Sequence, residues 1–400
     1  MKRLLVLSPW FPFPADNGSR IRIFHLLREL SESFQIRLVA GVQEDSPPDT
    51  PHELAALCES IVRVPWIWHD GSSGGLPAAV RALLSPVPRS IRETPNPALS
   101  AAISAELAGP IDAVLVCEMG MDAYLPPVPP GIPAILEGAE APTFDRAGHA
   151  AVGTPARPHA RLTHAKARRY WRHALPRYAA VTAVSGEEAD ALRRIVGPNG
   201  PKVVVIPNGV DTNAYPPRDW ASVIPGRMLY NGALTYGPNR DAVTFFIADI
   251  LPRIAARIPA AHLVVTGRHT PEAMAGILPN ARVLFTGYLP DLRPTLATAA
   301  ACVVPLQSGG GTRLKILEAW AAGIPVVATQ IGAAGLGAAT GEQLLLADHP
   351  TDFADAALRL LEDSTLAQQI AAKGRQFATE RYDWHTIGRT LTALVEAALT

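Results

Sequence analysis

The feature that most constrains the fold is a strand–helix alternation that runs through the sequence twice. Short apolar runs such as residues 4–8 and 35–40 alternate with helical periods such as residues 19–31. A second series starts at residues 228–231, after a proline-rich break between Pro207 and Pro225. We therefore predict an α/β fold of two doubly wound domains, with a cleft where the carboxyl ends of their parallel strands face one another.

The same pattern predicts the domain boundaries. We expect an N-terminal domain over residues 1–210 and a second domain over residues 211–380. The segment 381–400 is expected to form a C-terminal helix that packs back on the N-terminal domain. A chain of 400 residues is long enough for two such domains.

Composition excludes several classes of protein. Lys plus Arg and Asp plus Glu both number 36, so the charge balance does not indicate a nucleic-acid binder. No apolar run approaches the roughly 20 residues that span a bilayer, and the N-terminus lacks the pattern of a signal peptide. Three distant cysteines fit a reducing cytoplasm, and no acidic pair has metal-ligand spacing, so we expect no metal.

The richest segment is SGGGTRLKILEAWAAGIPVVAT at residues 308–329. Glycines at 309–311 permit unusual backbone angles and close approach of a ligand. Thr312 is expected to cap a helix that starts near Arg313, and such a helix start suits a phosphate. Arg313 and Lys315 add positive charge there. A plain turn, and a solvated Lys315, are the simpler alternatives.

These residues resemble those of a known family. The 308–329 segment, VIPNGVD at 205–211, VTAVS at 181–185, the Asn-Gly pair at 231–232 and FTGY at 285–288 are similar to the motifs of retaining GT-B glycosyltransferases of family 4, also described as glycosyl transferases group 1. The resemblance covers almost the whole chain. It implies two facing Rossmann-like domains, with the acceptor side in the N-terminal domain and the nucleotide-sugar donor in the second.

The resemblance also implies a set of functional residues. Glu318 would accept hydrogen bonds from the ribose hydroxyls of the donor, and Arg313 and Lys315 would neutralise its diphosphate. Glu140 is the best candidate for a catalytic base. The implied donor site comprises Gly18, Gly232, Arg268, Tyr288, Leu289, Gly310, Gly311, Thr312, Leu314 and Glu318.

Two departures from the family pattern affect these expectations. The family commonly has two glutamates separated by seven residues, and Gly310 stands at the position of the first. Many relatives also carry an Arg and a Lys after the glycine that corresponds to Gly232, and this chain has no Lys there.

The implied reaction is transfer of a sugar from a nucleoside-diphosphate sugar to a hydroxyl acceptor, with retention of configuration, in glycan, exopolysaccharide or glycolipid synthesis. The acceptor would be a glycan, a lipid-linked molecule or a small molecule. A GT-B sugar-nucleotide epimerase and a non-catalytic nucleotide-sugar-binding protein are the alternatives. A basic stretch at residues 157–177 would suit an anionic membrane or a solvated surface. We therefore expect a cytoplasmic protein with peripheral contact at the inner face of the membrane.

Overall fold

The chain folds into two compact units. The computed structural model describes residues 1–66, 85, 96–139, 158–277, 279–309 and 313–400, with the backbone alone at 158–164. Unit 1 comprises Met1–Pro207 and Ile387–Thr400, and unit 2 comprises Asn208–Thr386. The first crossing between them therefore lies close to the predicted boundary at residue 210, and the chain returns to unit 1 within its last helix.

Unit 1 contains a parallel seven-stranded sheet in the order β3-β2-β1-β4-β5-β6-β7. Its strands are β1 (Lys2–Ser8), β2 (Phe34–Val42), β3 (Ser60–Pro65), β4 (Ala113–Cys117), β5 (Ala134–Glu137), β6 (Ala180–Ala183) and β7 (Lys202–Val205). The order reverses direction between β1 and β4. In open α/β sheets, ligands bind at the carboxyl ends of the strands next to such a switch point.

The helices of unit 1 follow the strands. They are Gly18–Ser31, His52–Ala55, Pro97–Leu107, Pro158–Ala174 and Gly186–Val196, and Trp384–Ala398 belongs to this unit from Ile387 onward. Short 3-10 turns cover Met119–Tyr124 and Leu175–Arg177. The first helix begins where Asn17 Oδ1 accepts a hydrogen bond from the Arg20 amide at 3.0 Å, as expected of an N-cap.

Unit 2 contains a parallel six-stranded sheet in the order β10-β9-β8-β11-β12-β13. Its strands are β8 (Arg227–Asn231), β9 (His262–Thr266), β10 (Val283–Gly287), β11 (Ala301–Val304), β12 (Val326–Ala328) and β13 (Leu345–Leu346). Its helices are Gly237–Phe245, Leu251–Arg257, Pro271–Met274, Arg293–Thr298, Leu314–Ala321, Pro350–Glu362 and Ser364–Arg381, with 3-10 turns at Thr212–Ala214 and Trp220–Ser222. The order reverses between β8 and β11, which is the switch point of this sheet.

The apolar pattern of residues 241–256 predicts one helix, but the structure interrupts it. A π-helical turn at Phe246–Ile250 separates Gly237–Phe245 from Leu251–Arg257. Pro252 explains the interruption, because proline has no amide hydrogen and its ring clashes with the carbonyl of the preceding turn. A second helical pattern, at residues 78–84, lies outside the described residues. None of the helices in the described ranges has the length and hydrophobicity needed to cross a bilayer.

A buried ion pair holds the first helix of unit 1 against the carboxyl end of β5. Glu137, at the end of β5, is 1% exposed and pairs with Arg22 of the first helix, which is 6% exposed. Arg22 also donates to the carbonyl oxygens of Ile206 at 2.8 Å and Pro207 at 2.9 Å. One guanidinium therefore joins the first helix, β5 and the last residues before the chain leaves the unit.

We predict that Glu137→Ala destabilises unit 1 strongly. The change leaves the Arg22 guanidinium buried without its counter-charge, and breaking a buried pair in this way costs about 3 to 5 kcal/mol. Urea denaturation should show that decrease in the free energy of unfolding. Asp190→Ala, at the exposed Arg193–Asp190 pair, should change the free energy of unfolding by less than about 1 kcal/mol. Equal stabilities for Glu137→Ala and the wild type would contradict the role of the pair.

Candidate functional site

The loop that follows β8 is tied to the ends of β9 and β10. The Gly232 amide donates to the Thr266 carbonyl at 2.9 Å, and the Leu234 amide donates to the Arg268 carbonyl at 2.9 Å. The Gly267 amide in turn donates to the Gly287 carbonyl at 2.9 Å. These bonds fix the carboxyl edge of the sheet beside its switch point.

Gly267 is required at this edge by its backbone and by its surroundings. Its φ is +119°, and a β-carbon there would lie 2.6 Å from the carbonyl carbon of Gly232 and 2.8 Å from the Ala233 amide nitrogen. A side chain at this position would displace the Gly232 loop. The two glycines therefore allow two strand-end loops to pack directly against one another.

Lys315 points into the unit and binds two oxygens. Its ammonium donates to the Tyr230 hydroxyl at 2.9 Å and to Asn239 Oδ1 at 2.8 Å. The nitrogen also lies 4.3 Å from the centre of the Tyr230 ring, where a cation is favoured. Burial lowers the pKa of Lys315 to about 7. The alternative of a solvated, outward-facing lysine is wrong.

Asn239 connects this lysine to the Gly232 loop. Its Oδ1 also accepts from the Tyr230 hydroxyl at 2.8 Å, and its Nδ2 donates to the Ala233 carbonyl at 2.9 Å. A β-carbon on Gly232 would come within 2.9 Å of Lys315 Nζ and 2.8 Å of Asn239 Nδ2. The lysine nitrogen therefore lies directly beside the glycine of the loop.

Glu318 lies one turn further along the same helix face as Lys315. Its Oε2 accepts a hydrogen bond from Asn231 Nδ2 at 2.6 Å, and Asn231 Oδ1 accepts from the Thr266 hydroxyl at 3.0 Å. Burial raises the pKa of Glu318 to about 7, opposed by the Asn231 hydrogen bond and by the charge of Lys315. The carboxylate is therefore oriented at the end of β8 and is only partly ionised near neutrality.

Arg313 braces the glycine-rich loop. It occupies the N-cap position of Leu314–Ala321, the place that we predicted for Thr312. Its guanidinium is nearly buried and donates to the Gly309 carbonyl at 2.9 Å and the Ile331 carbonyl at 2.8 Å. Leu314 packs partly against the core of unit 2. The geometry thus gives Arg313 a structural contact, while Lys315 and Glu318 approach the strand ends.

The remaining predicted donor residues of unit 2 surround an exposed tyrosine. Tyr288, just beyond β10, is 50% exposed, and the Arg268 guanidinium lies 5.0 Å from its ring centre. Leu289 beside it is half-buried. This group offers an exposed aromatic ring with a cation over one of its faces.

Several predicted residues lie elsewhere. Gly18 is the exposed first residue of the helix Gly18–Ser31 in unit 1. Glu140, Gly310, Gly311 and Thr312 lie outside the described residues, so their predicted roles stay predictions.

The sequence did not point to Tyr230 and Asn239 as site residues. In the sequence, Tyr230 is one residue of an apolar run that predicts a buried strand. Asn239 is part of a Pro-Asn pair that is typical of a helix start. The one available signal was the absence of a lysine in this loop, which implies that a cation must come from another element. Lys315 is a cation from another element that lies beside Gly232, and Asn239 is its acceptor.

The arrangement combines two complementary groups within a few residues of a glycine loop. An ammonium beside exposed backbone suits a phosphate, and an oriented carboxylate suits a pair of hydroxyls. Both lie at the switch point of a parallel sheet, where α/β domains bind ligands.

Family models identify this chain over two segments. Residues 225–363 match the model for glycosyl transferases group 1, and residues 148–214 match the model for glycosyltransferase family 4. Together these segments make up just over half of the chain.

Curated relatives match about half of the chain. Glycogen synthase from Mycobacterium tuberculosis is 33% identical over 227 residues, which is 52% of this chain and 51% of that protein. Phosphatidyl-myo-inositol mannosyltransferase from Mycobacterium leprae is 28% identical over 212 residues, 50% of this chain and 55% of that protein. The chain thus spans about half the length of the relatives it matches.

Solved structures match the chain from end to end. Sucrose-phosphate synthase from Thermosynechococcus elongatus superposes with a TM-score of 0.70 at 18% identity and 99% coverage of both chains. HepE from Anabaena superposes with a TM-score of 0.63 at 15% identity, covering 98% of this chain and 99% of that one. These likenesses establish the fold, two Rossmann-like domains of the GT-B type, as the sequence predicted. The chain belongs to glycosyltransferase family 4 within the GT-B glycosyltransferases.

Proposed function

We propose that this protein is a glycosyltransferase that moves a sugar from a nucleoside-diphosphate sugar to a hydroxyl acceptor, with retention of anomeric configuration, in the synthesis of a glycan, exopolysaccharide or glycolipid. The observation that carries the proposal is the pair formed by Lys315 and Glu318. Both lie on one face of Leu314–Ala321 and reach the carboxyl end of β8, where the Lys315 ammonium packs directly against Gly232.

We assign each group a part of the donor. Glu318 accepts hydrogen bonds from the ribose diol, and the Lys315 ammonium faces the diphosphate next to the Gly232 backbone. Tyr288 and Leu289 hold the base. Arg313 acts indirectly, because its bonds to the Gly309 and Ile331 carbonyls shape the loop.

Uridine nucleotides are the first donors to test. HepE, which shares the fold, has been solved with UDP and with UDP-glucose. By their names, one relative is a synthase of glycogen and another is a mannosyltransferase for phosphatidyl-myo-inositol, so both a glycan and a lipid-linked acceptor fit the proposal. UDP-glucose is therefore the reference donor in the experiments below.

In the proposed transfer step the protein stabilises charge and does not form a covalent intermediate. The bond between the sugar C1 and the diphosphate oxygen breaks, and a bond forms between C1 and the acceptor oxygen on the same face. The acceptor proton moves to an oxygen of the departing diphosphate. The Lys315 ammonium opposes the negative charge that grows on that group. Since a lysine supplies this charge, the proposal includes no metal, and EDTA should leave turnover unchanged.

The helix Pro158–Ala174 supports a peripheral contact with an anionic membrane, which belongs to the same proposal. Arg168, Arg169 and Arg172 are exposed, whereas Ala167 and Trp171 are buried, so the arginines share the outer face. The sequence contains no acidic residue between 158 and 186. This surface suits the inner face of a cytoplasmic membrane.

We predict that Glu318→Ala removes most of the stabilisation that a nucleotide confers. A bound ligand raises the melting temperature by mass action, and loss of a charged hydrogen bond to the diol should weaken binding about tenfold or more. Thermal-shift titration with UDP and UDP-glucose measures the effect. Glu342→Ala, an exposed carboxylate on the same unit paired only with Lys373, is the control. An unchanged shift in Glu318→Ala would show that the ribose contact is assigned wrongly.

We predict that affinity for UDP-glucose is highest near pH 7 and falls on both sides. Binding favours the ionised Glu318, so affinity falls as pH decreases below its pKa of about 7. Binding also favours the protonated Lys315, so affinity falls as pH increases above its pKa of about 7. Each limb should approach tenfold per pH unit. Calorimetric titration across pH 5.5–8.5, a range of about three units chosen to bracket both groups, measures the profile.

Two variants identify which residue causes each side of the pH profile. Glu318→Gln should abolish the acidic limb and Lys315→Arg the alkaline limb, since neither new side chain titrates in this range. A profile in Lys315→Arg that matches the wild type would contradict the contact between Lys315 and the diphosphate.

Donor turnover tests the function itself. Release of UDP from UDP-glucose, together with a glycosylated product of unchanged anomeric configuration, would support the proposal. Measurable binding without turnover of UDP-glucose or other common donors would instead favour a nucleotide-sugar-binding protein.

We predict that the arginine surface binds vesicles. The wild-type protein should sediment with phosphatidylglycerol vesicles and should stay in the supernatant with phosphatidylcholine vesicles. Each arginine near an anionic surface contributes about 1 kcal/mol, so Arg168→Glu, Arg169→Glu and Arg172→Glu together should lower the partition coefficient by about a hundredfold. Equal partition of the triple variant would contradict this contact.

A further inference from the structure

The most costly backbone conformation in the described part of the chain belongs to Glu118. This residue directly follows β4 and has φ +62° and ψ 146°, angles that are close to a region used almost only by glycine. Every other described residue with positive φ is a glycine. The fold therefore uses glycine wherever it needs such a backbone, with this one exception.

The neighbouring strand provides a direct comparison. Cys117 at the end of β4 is in register with Glu137 at the end of β5, and the Glu118 amide donates to the Glu137 carbonyl at 2.9 Å. The residue that follows β5 is Gly138, with φ +69°. The residues that follow these two adjacent strands thus both have positive φ, and only one of them has a side chain. A requirement for that side chain accounts for the difference.

The place of Glu118 in the sheet indicates what the side chain does. It lies at the carboxyl end of β4, beside β1, where the strand order of unit 1 reverses. This is the position at which an open α/β sheet binds ligands. Glu118 is half-buried, and its backbone stands at the start of the 3-10 turn Met119–Tyr124.

We propose that the Glu118 carboxylate binds hydroxyl groups of a sugar or polyol at the carboxyl edge of the unit 1 sheet, and that this ligand is the acceptor. Naming the ligand an acceptor rests on the proposed function; the binding of hydroxyls does not. A carboxylate accepts hydrogen bonds from two neighbouring hydroxyls, which matches a sugar or polyol better than an anionic or apolar molecule.

The test measures sugar binding in the absence of donor. Saturation-transfer difference NMR titrations with glucose, mannose, galactose and myo-inositol would give the dissociation constants of the full-length protein. We expect at least one of these probes to bind the wild type, and Glu118→Gln to weaken that binding about tenfold, since a bond to a charged acceptor is lost. Glu53→Gln, the same change at an exposed residue of unit 1, should leave binding unchanged.

A second variant separates function from folding. Glu118→Gly should bind the sugar as weakly as Glu118→Gln but should melt about 2 °C or more above it, because glycine adopts this backbone without strain. A melting temperature below that of Glu118→Gln would show that the side chain is retained for stability and would overturn the proposal.

The outcomes distinguish this inference from the proposed function. Failure of all four sugars to bind the wild type, or equal binding by wild type and Glu118→Gln, would overturn the role of Glu118. Release of UDP from UDP-glucose is measured in a separate assay. The wild type can show no UDP release and still bind sugar in a way that Glu118→Gln weakens. In that case the proposed transfer is wrong and the hydroxyl site stands.

Discussion

The geometry of the candidate donor site depends on how the Lys315 ammonium is kept inside unit 2. A buried cation is unfavourable unless its donors are bonded. Here the Tyr230 hydroxyl and Asn239 Oδ1 accept those bonds, and the Tyr230 ring lies beneath the charge. The three side chains come from the helix Leu314–Ala321, from β8 and from the helix Gly237–Phe245. Because Asn239 also holds the Ala233 carbonyl, the position of the Gly232 loop follows from the same interaction.

The sequence predicted the strands well where they are buried on both faces. Continuous apolar runs predict buried parallel strands at residues 262–266 and 301–304, and β9 (His262–Thr266) and β11 (Ala301–Val304) have those bounds. Lys315 and Glu318 were also predictable, since they are spaced to share a helix face. Their partners were not: Asn239 and Tyr230 lie 76 and 85 residues from Lys315, and local patterns carry no information about such pairs. The π-helical turn at Phe246–Ile250 was likewise missed, although Pro252 was a visible cause.

Unit 1 follows a related rule, in which buried arginines of its first helix fix the strand ends. Arg20 is 1% exposed and pairs with Asp16 and Asp45, while Arg22 pairs with Glu137. Arg22 is buried together with Glu137, whereas Arg20 pairs with the less exposed Asp16 and with Asp45, whose side chain is 59% exposed. Pairing with a carboxylate limits the cost of removing each cation from water. The Glu118 backbone on the same edge is held by two hydrogen bonds: its amide donates to the Glu137 carbonyl at 2.9 Å, and its carbonyl accepts from the Met121 amide at 3.2 Å. Unfavourable backbone angles persist only where such surrounding contacts hold them.

The half-buried lysine and glutamate of unit 2 bear on the cost of the proposed donor binding. With both pKa values near 7, each group is only partly ionised at neutral pH. In the proposed complex, a diphosphate next to Lys315 would favour the ammonium, and a diol next to Glu318 would favour the carboxylate. The donor would then draw both groups into the charged forms that bind it. On this proposal the protein meets the desolvation cost of two full charges only when the donor supplies the compensating interactions.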